Sequence, residues 1–166
     1  MYSLGNIEQP TRDNRISVYV FEPGKTHGAG TYFQEQITPG QWIHVVGVFD
    51  GTNVYIYRDG VRKNCSHYRG TSTGACQTDR YYPITPVNGS APVRIGSRNL
   101  TSFFLGAISV ARFWNRALSP SEVLSLQNGS VPQQGLVAEY PLTSDIAIDT
   151  KGGRNGTIYQ APMAPQ

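Results

Sequence analysis

The amino-acid sequence predicts an all-β fold in which two antiparallel sheets pack as a sandwich, with one short helix near residues 120–127. Three observations support this prediction: the composition, the runs of alternating apolar and polar residues, and the Asp-Gly steps that follow these runs. The 166 residues include 18 Gly, 11 Pro and 10 Tyr, and only 15% are charged. Such a composition is typical of short strands joined by turns, and the length suits a single domain over residues 1–166.

Residues 41–60, "QWIHVVGVFDGTNVYIYRDG", carry the strongest strand signal. The first run, from Trp42 to Phe49, alternates between two faces that are both largely apolar, which predicts a central strand of a two-layer fold. Residues 54–57 are β-branched or aromatic throughout, so they favour a second strand. Asp59 and Gly60 tolerate positive φ angles, and we expect a tight turn there.

Two later segments predict further strands. They are "APVRIGS" (91–97) and "FFLGAISVARFWN" (103–115), the second with Gly106 as a bulge or a point of close approach. From Ile108 to Trp114 the alternation places Arg112 on an otherwise apolar face. We therefore expect Arg112 either to pair across the sheet edge or to extend its charged group into solvent.

One segment carries the signals of a helix. Ser119 is a good N-cap, Pro120 suits the first helical position, and Glu122 completes a capping box. An apolar stripe follows, and Asn128-Gly129 predicts the end of the helix after about two turns. A helix this short is unstable alone, so we expect it to lie against the sandwich.

The charge and hydropathy of the chain argue against two classes of partner, nucleic acid and the membrane interior, and bear on where the protein acts. The net charge of +3 is spread over the chain without a Lys/Arg run, which argues against nucleic acid. No apolar run is long enough to span a bilayer, and the N-terminus lacks the pattern of a signal peptide, so neither membrane insertion nor an export signal in this chain is expected. Because Met1 leads directly into a β-rich pattern, we expect a piece of a longer, exported polypeptide that acts outside the cell or at its surface.

Two cysteines flank the polar segment "SHYRGTSTGA". A disulfide between Cys65 and Cys76 would hold a protruding loop together, as expected in an oxidising compartment. The alternative is two unrelated thiols. A zinc site is disfavoured, because only His67 is nearby as a third ligand.

Several of these segments together resemble the laminin-G-like jelly-roll domains of the concanavalin-A-like lectin and glucanase superfamily. The resemblance rests on a Trp-x-His strand at 42–44, an aromatic-Asp-Gly turn at 49–51, an Arg-Ile-Gly strand at 94–96 and an Asn-Arg-Ala-Leu-Ser corner at 115–119. It covers about residues 16–128. It implies a jelly-roll sandwich and a glycan or glycoprotein ligand.

The C-terminal segment from Gly135 to Pro162 looks like the opening of such a domain, although it stands at the end of the chain. Either it folds back and completes the same sandwich as a permuted strand, or it begins a next repeat or joins a neighbouring chain. Folding back would bury its apolar residues. A strand found between this opening and the rest in the family is missing, so an open sheet edge could support self-association.

Catalysis is not expected from the acidic residues. Retaining glycosidases need two carboxylates about 5 to 5.5 Å apart, and the Glu-x-Asp-x-x-Glu run that places them in this superfamily is missing. No nucleophile motif occurs either. The chain is therefore interpreted as a non-catalytic binding or adhesion module, the alternatives being a structural or assembly domain and, less favoured, a polysaccharide-active enzyme.

Aromatic faces and flanking polar groups suit sugar rings and their hydroxyls. Two loops offer such residues, and the alternative is that the tyrosines only pack a loop onto the sheet. The candidate ligand-binding residues are Tyr68, Arg69, Arg80, Tyr81, Tyr82, Arg98 and Asn99.

Calcium is the cofactor that the resemblance implies, because many relatives bind it through loop oxygens. The segment "DTKGGRNG" looks like the family's Asp-x-x-Gly-x-x-Asn-Gly loop and would offer Asp149 and Asn155 as ligands. The chain departs from the family at Ser109, where many relatives have an acid, and it places Lys151 and Arg154 inside the loop.

Overall fold

The computed structural model describes residues 16–21, 28–63, 65–68, 85–86, 89–97, 103–143 and 146–159. Over these residues the chain consists of strands in antiparallel sheets and one short helix, which confirms the predicted all-β class and is consistent with a jelly-roll sandwich. The elements are β1 (Ile16–Phe21), β2 (Gly28–Phe33), β3 (Val45–Phe49), β4 (Val54–Arg58), β5 (Val61–Lys63), β6 (Cys65–Tyr68), β7 (Val110–Trp114), α1 (Pro120–Gln127) and β8 (Leu136–Pro141).

The chain divides into two compact units. The first, called the sandwich unit, contains residues 1–92 and 117–131; the second, called the β7–β8 unit, contains residues 93–116 and 132–166. The sandwich unit holds two three-stranded antiparallel sheets, in the orders β1-β2-β6 and β3-β4-β5. Each unit is described separately below.

Apolar side chains from both sheets fill the core of the sandwich unit. Ile16 and Phe33 of the first sheet pack with Ile56 of the second, and Ile56 is fully buried. Gly47 on β3 lies directly against the first sheet, since a Cβ at this position would stand 2.9 Å from a methyl group of Val18. The two sheets therefore approach closely where the sequence has no side chain.

Strand β4 occupies the centre of its sheet, between β3 and β5. The expectation that the run after Trp42 forms the central strand is wrong for the described part of this sheet. Strand β3 begins only at Val45, and Trp42 remains 67% exposed. The predicted turn is confirmed, because Asp59 and Gly60 have φ angles of 51° and 76° and join β4 directly to β5.

Helix α1 matches its sequence signals. The Ser119 hydroxyl accepts a hydrogen bond from the Glu122 backbone N–H, and the Glu122 carboxylate accepts one from the Ser119 N–H at 2.9 Å. Leu124 lies beside Gly60, so the helix is close to the turn between β4 and β5. Within the described residues, no helix has the length and apolar character needed to cross a membrane.

The β7–β8 unit contains an antiparallel pair of strands that are distant in sequence. Residue Val110 pairs with Pro141 and Phe113 with Ala138, and the register shifts before Trp114. The C-terminal strand thus pairs within its own chain. The prediction of one domain over residues 1–166 stays a prediction.

Of the predicted strands, one does not form and another is shorter than the sequence analysis predicts. Residues 91–97 form no strand and contribute only an isolated bridge between Ser97 and Phe103. Pro92 lacks the N–H that a ladder requires, which explains part of this difference. The longer run from Phe103 becomes a regular strand only from Val110 onwards.

Candidate functional site

The outward face of the sheet β1-β2-β6 carries a pair of aromatic rings. In β1, Val18 and Val20 pack against the core, so the alternation of the strand directs Tyr19 and Phe21 to the opposite face. The Phe21 side chain is 47% exposed. On the same face Ser17 and its cross-strand partner Tyr32 are only 1% and 3% exposed, so the exposed part of this face is at its Phe21 end.

A glycine on the neighbouring strand shapes this surface. Gly30 is the cross-strand partner of Tyr19, and a Cβ at Gly30 would overlap the Tyr19 ring. The ring of Tyr19 therefore lies across the glycine backbone. The rings of Tyr19 and Phe21 are stacked with centroids 6.0 Å apart and an interplanar angle of 28°. We call Tyr19, Phe21 and Gly30 the aromatic face.

The strand order relates the aromatic face to one predicted ligand residue. Tyr68 is the last residue of β6 and pairs with Ala29, which in turn pairs with Val20. Because β1 and β6 both run antiparallel to β2, Phe21 and Tyr68 mark the same end of the sheet, but Tyr68 shares the register row of Val20 and not that of Tyr19 or Phe21, so the register does not place it on the face of these two rings. The other candidate ligand residues lie outside the described residues: Arg69, Arg80, Tyr81, Tyr82, Arg98 and Asn99.

The predicted disulfide is only partly covered by the structure. Cys65 opens β6 and is the register partner of Tyr32. Cys76 lies outside the described residues. The Cys65–Cys76 bond therefore stays a prediction.

A second candidate site is the loop of residues 147–156, called the Asp149 loop. The Asp149 side chain is buried and accepts backbone hydrogen bonds at both oxygens. Oxygen Oδ1 accepts from the N–H groups of Glu139, Lys151 and Gly152 at 2.9–3.1 Å, and Oδ2 accepts from that of Arg154 at 3.2 Å. One carboxylate thus ties the loop to strand β8.

This arrangement changes the acidity of Asp149. Burial alone would raise the pKa of the carboxyl group, because it disfavours the charged form. The backbone N–H donors from Gly152, Glu139, Lys151 and Arg154 outweigh burial and lower the pKa to about 2. Asp149 is therefore ionised throughout the physiological pH range.

The Asp149 loop does not fit the predicted calcium site. Both Asp149 oxygens face N–H donors, and the Asn155 side-chain oxygen accepts a hydrogen bond from the Asp149 N–H at 3.0 Å. Arg154 adds a positive charge 3.8 Å from the carboxylate. A cation there would have to displace several hydrogen bonds. Across the described parts of the chain, no group of three or more His, Cys, Asp or Glu residues could hold a metal ion.

Arg112 takes the first of its two expected positions, pairing across the strands. Its Nε donates to Glu139 Oε1 at 2.6 Å, and Thr150 Oγ1 donates to the second Glu139 oxygen at 3.1 Å. The hydrogen bond from Arg112 is the largest of the effects that together lower the pKa of Glu139, and it outweighs the opposing effect of burial. This ion pair supports the strand pairing and the adjoining Asp149 loop.

The carboxylates of the described residues all have structural partners. Glu35 pairs with Lys63 at 2.6 Å, Asp59 accepts from the His44 N–H, and Glu122 caps its helix. Asp50 accepts backbone hydrogen bonds in its own turn. With Glu139 and Asp149 already assigned, no described pair has the arrangement of a glycosidase acid and nucleophile.

Sequence reasoning missed the aromatic face. The signal was present in "ISVYVF", where the period of two that a strand imposes separates Tyr19 and Phe21 from Val18 and Val20. The cross-strand glycine against which the Tyr19 ring lies could not be assigned without the register. The buried role of Asp149 was likewise hidden, because its donors come from the backbone.

Comparison with known proteins gives a family and one solved structure. A laminin G family model, described as the concanavalin A-like lectin/glucanases superfamily, matches residues 5–124. No curated protein matches. An S-layer domain-containing protein (residues 221–444) from Clostridium thermocellum ATCC 27405, solved by crystallography, is similar at 21% identity with a TM-score of 0.40. The match covers 70% of this chain and 52% of that chain, about half its length.

Proposed function

The chain belongs to the concanavalin A-like lectin/glucanases superfamily, and from this premise we propose that it is a non-catalytic module that binds a carbohydrate or glycoprotein through the aromatic face. Superfamily membership fits a binding module of extracellular proteins in general. The finer assignment, to a carbohydrate and to this face, is the proposal.

The stacked rings of Tyr19 and Phe21 are the observation that supports the proposal. A pyranose ring has an apolar side that packs on aromatic faces. Binding sites combine such aromatic side chains with a few polar groups that fix the orientation of the ligand. The sheet provides a rigid support, because β1 and β6 both pair with β2.

The proposed setting is outside the cell or at its surface. A disulfide between Cys65 and Cys76 would be stable there and would hold the segment that follows β6. Calcium is not required by this proposal, because the Asp149 carboxylate is already hydrogen-bonded to the backbone. Binding through the aromatic face should therefore persist in a chelator.

A glycan array on protein of known oligomeric state tests the proposal. Wild-type protein is checked by light scattering and applied with calcium and with a chelator. Phe21→Ala removes one exposed ring of the aromatic face, and Phe103→Ala is the matched control, since Phe103 is also exposed but lies in the other unit. We expect Phe21→Ala to weaken binding about tenfold or more and Phe103→Ala to leave it unchanged.

Other results would redirect the proposal. Equal binding by wild type and Phe21→Ala would place the ligand elsewhere. Binding lost in chelator would restore the calcium prediction for this module. A folded monomer that binds no glycan on the array would contradict carbohydrate binding for those sugars. Oligomers that form without ligand would favour an assembly role.

A further inference from the structure

The Asp149 loop contains the step Asn155-Gly156, the sequence at which asparagine side chains deamidate most readily, because glycine leaves the backbone nitrogen unhindered. We propose that Asn155 is a self-modification site controlled by the fold: it is protected while Asp149 holds the loop closed and converts to aspartate or isoaspartate once the loop opens. The co-reactant is water.

The chemistry needs only groups of this chain. The Gly156 backbone nitrogen loses its proton and attacks Cγ of Asn155, forming a C–N bond while the side-chain amide leaves as ammonia. The resulting cyclic imide is then opened by one water molecule. Opening at one carbonyl gives aspartate, and opening at the other gives isoaspartate, in which the backbone runs through the former side chain.

The closed loop restrains both reacting groups. The Gly156 N–H donates to the Ala147 carbonyl at 2.7 Å, so the attacking nitrogen is already engaged in a hydrogen bond. The Asn155 side-chain oxygen accepts from the Asp149 N–H at 3.0 Å. Attack requires both hydrogen bonds to break, and this happens only in an opened loop.

The state of Asp149 controls that opening. Its carboxylate accepts four backbone hydrogen bonds, and three of their donors, Lys151, Gly152 and Arg154, lie between Asp149 and Asn155. Loss of the carboxylate leaves these donors without their acceptor. The loop then exchanges between closed and open forms more often, and Asn155 becomes reactive for a larger share of the time.

Modification would prevent the loop from closing as before. An aspartate at position 155 adds a second negative charge beside the Asp149 backbone N–H and close to its carboxylate. Isoaspartate lengthens the backbone, so the hydrogen bond from Gly156 to Ala147 loses its geometry. A single opening event is thereby recorded in the covalent structure.

The chain offers an internal reference at Asn128-Gly129. Here the Gly129 N–H donates to the Leu126 carbonyl at 3.0 Å in the cap of helix α1. This step lies in the sandwich unit and does not involve Asp149. The rate at which Asn128 deamidates measures the general effect of the incubation conditions on the protein.

The test is peptide mapping by mass spectrometry after incubation at neutral to mildly alkaline pH, with isoaspartate measured separately. Full-length wild type is incubated folded and in urea, and Asp149→Asn is incubated folded. We expect Asn155 to deamidate about tenfold or more slowly in folded than in unfolded wild type. Asp149→Asn should remove much of this protection, whereas Asn128 should change little.

Equal rates for Asn155 in folded and unfolded wild type would overturn the proposal. So would an Asp149→Asn variant that is folded by circular dichroism yet protects Asn155 as well as wild type does. If that variant fails to fold, the ratio of rates in wild type with and without urea still decides. Neither result depends on carbohydrate binding.

Discussion

The interactions that stabilise the sandwich unit differ from those that stabilise the β7–β8 unit. In the sandwich unit, apolar side chains such as Phe33 and Ile56 pack between two sheets and are almost fully buried. In the β7–β8 unit, Leu136 and Ala138 are also buried, and a polar network adds to this packing, with the Arg112–Glu139 pair on the strands and Asp149 in the adjoining loop. Burial of apolar area stabilises both units, and the second depends in addition on hydrogen bonds that each contribute modestly.

This difference has a consequence for how each unit responds to change. An apolar core loses stability when volume is removed or added, and it is insensitive to pH. A network around a buried carboxylate tolerates changes in apolar volume nearby but depends on the ionisation of one group. The two units should therefore respond differently to the perturbations below.

The largest effect is expected from Phe33→Ala, which removes a side chain that is 1% exposed at the centre of the sandwich core. The loss of packing and the resulting cavity should cost about 3–5 kcal/mol of unfolding free energy. Urea denaturation measures it. Phe21→Ala is the matched control, because its ring lies on the outward face, and a similar loss there would show that the aromatic face is part of the core.

A smaller effect is expected where the two sheets approach most closely. Gly47→Ala places a methyl group 2.9 Å from the Val18 side chain, and the overpacking should cost about 1–3 kcal/mol. The same denaturation experiment applies, with Gly89→Ala as the control, since a Cβ at Gly89 meets no close side chain. Equal stability of the two variants would mean that the sheets have room to separate.

A pH dependence that originates from Asp149 is expected in the β7–β8 unit. The pKa of Asp149 is lowered from 3.8 to about 2 in the folded chain, so its contribution is complete above about pH 4 and is lost as the pH falls through the folded value. Hydrogen exchange of the backbone amides of Lys151 and Gly152 should accelerate relative to strand β4 between about pH 4 and pH 2. Asp149→Asn should abolish this differential change. Parallel behaviour of both regions in wild type would show that they open together.

The same contrast explains what the sequence could predict. The β-branched and aromatic run "VYIY", the positive-φ pair Asp59-Gly60 and the Ser119 capping box are local patterns, and the structure confirms each of them. The extent of the strands was less predictable, because residues 91–97 pair only through an isolated bridge.

Sites were harder to predict than elements, for a physical reason. Asp149 and Asn155 resemble metal ligands in sequence, and only the fold shows that backbone N–H groups use the Asp149 oxygens. The aromatic face depends on the register that places Gly30 opposite Tyr19. Both properties arise from residues distant along the chain.

Chemical-shift mapping on isotope-labelled protein tests the central claim most directly, using a glycan that binds on the array. Addition of the glycan should shift the resonances of Tyr19, Phe21 and Gly30 and leave those of the Asp149 loop unchanged. Shifts confined to residues 146–159, with none on the aromatic face, would contradict the proposed binding site.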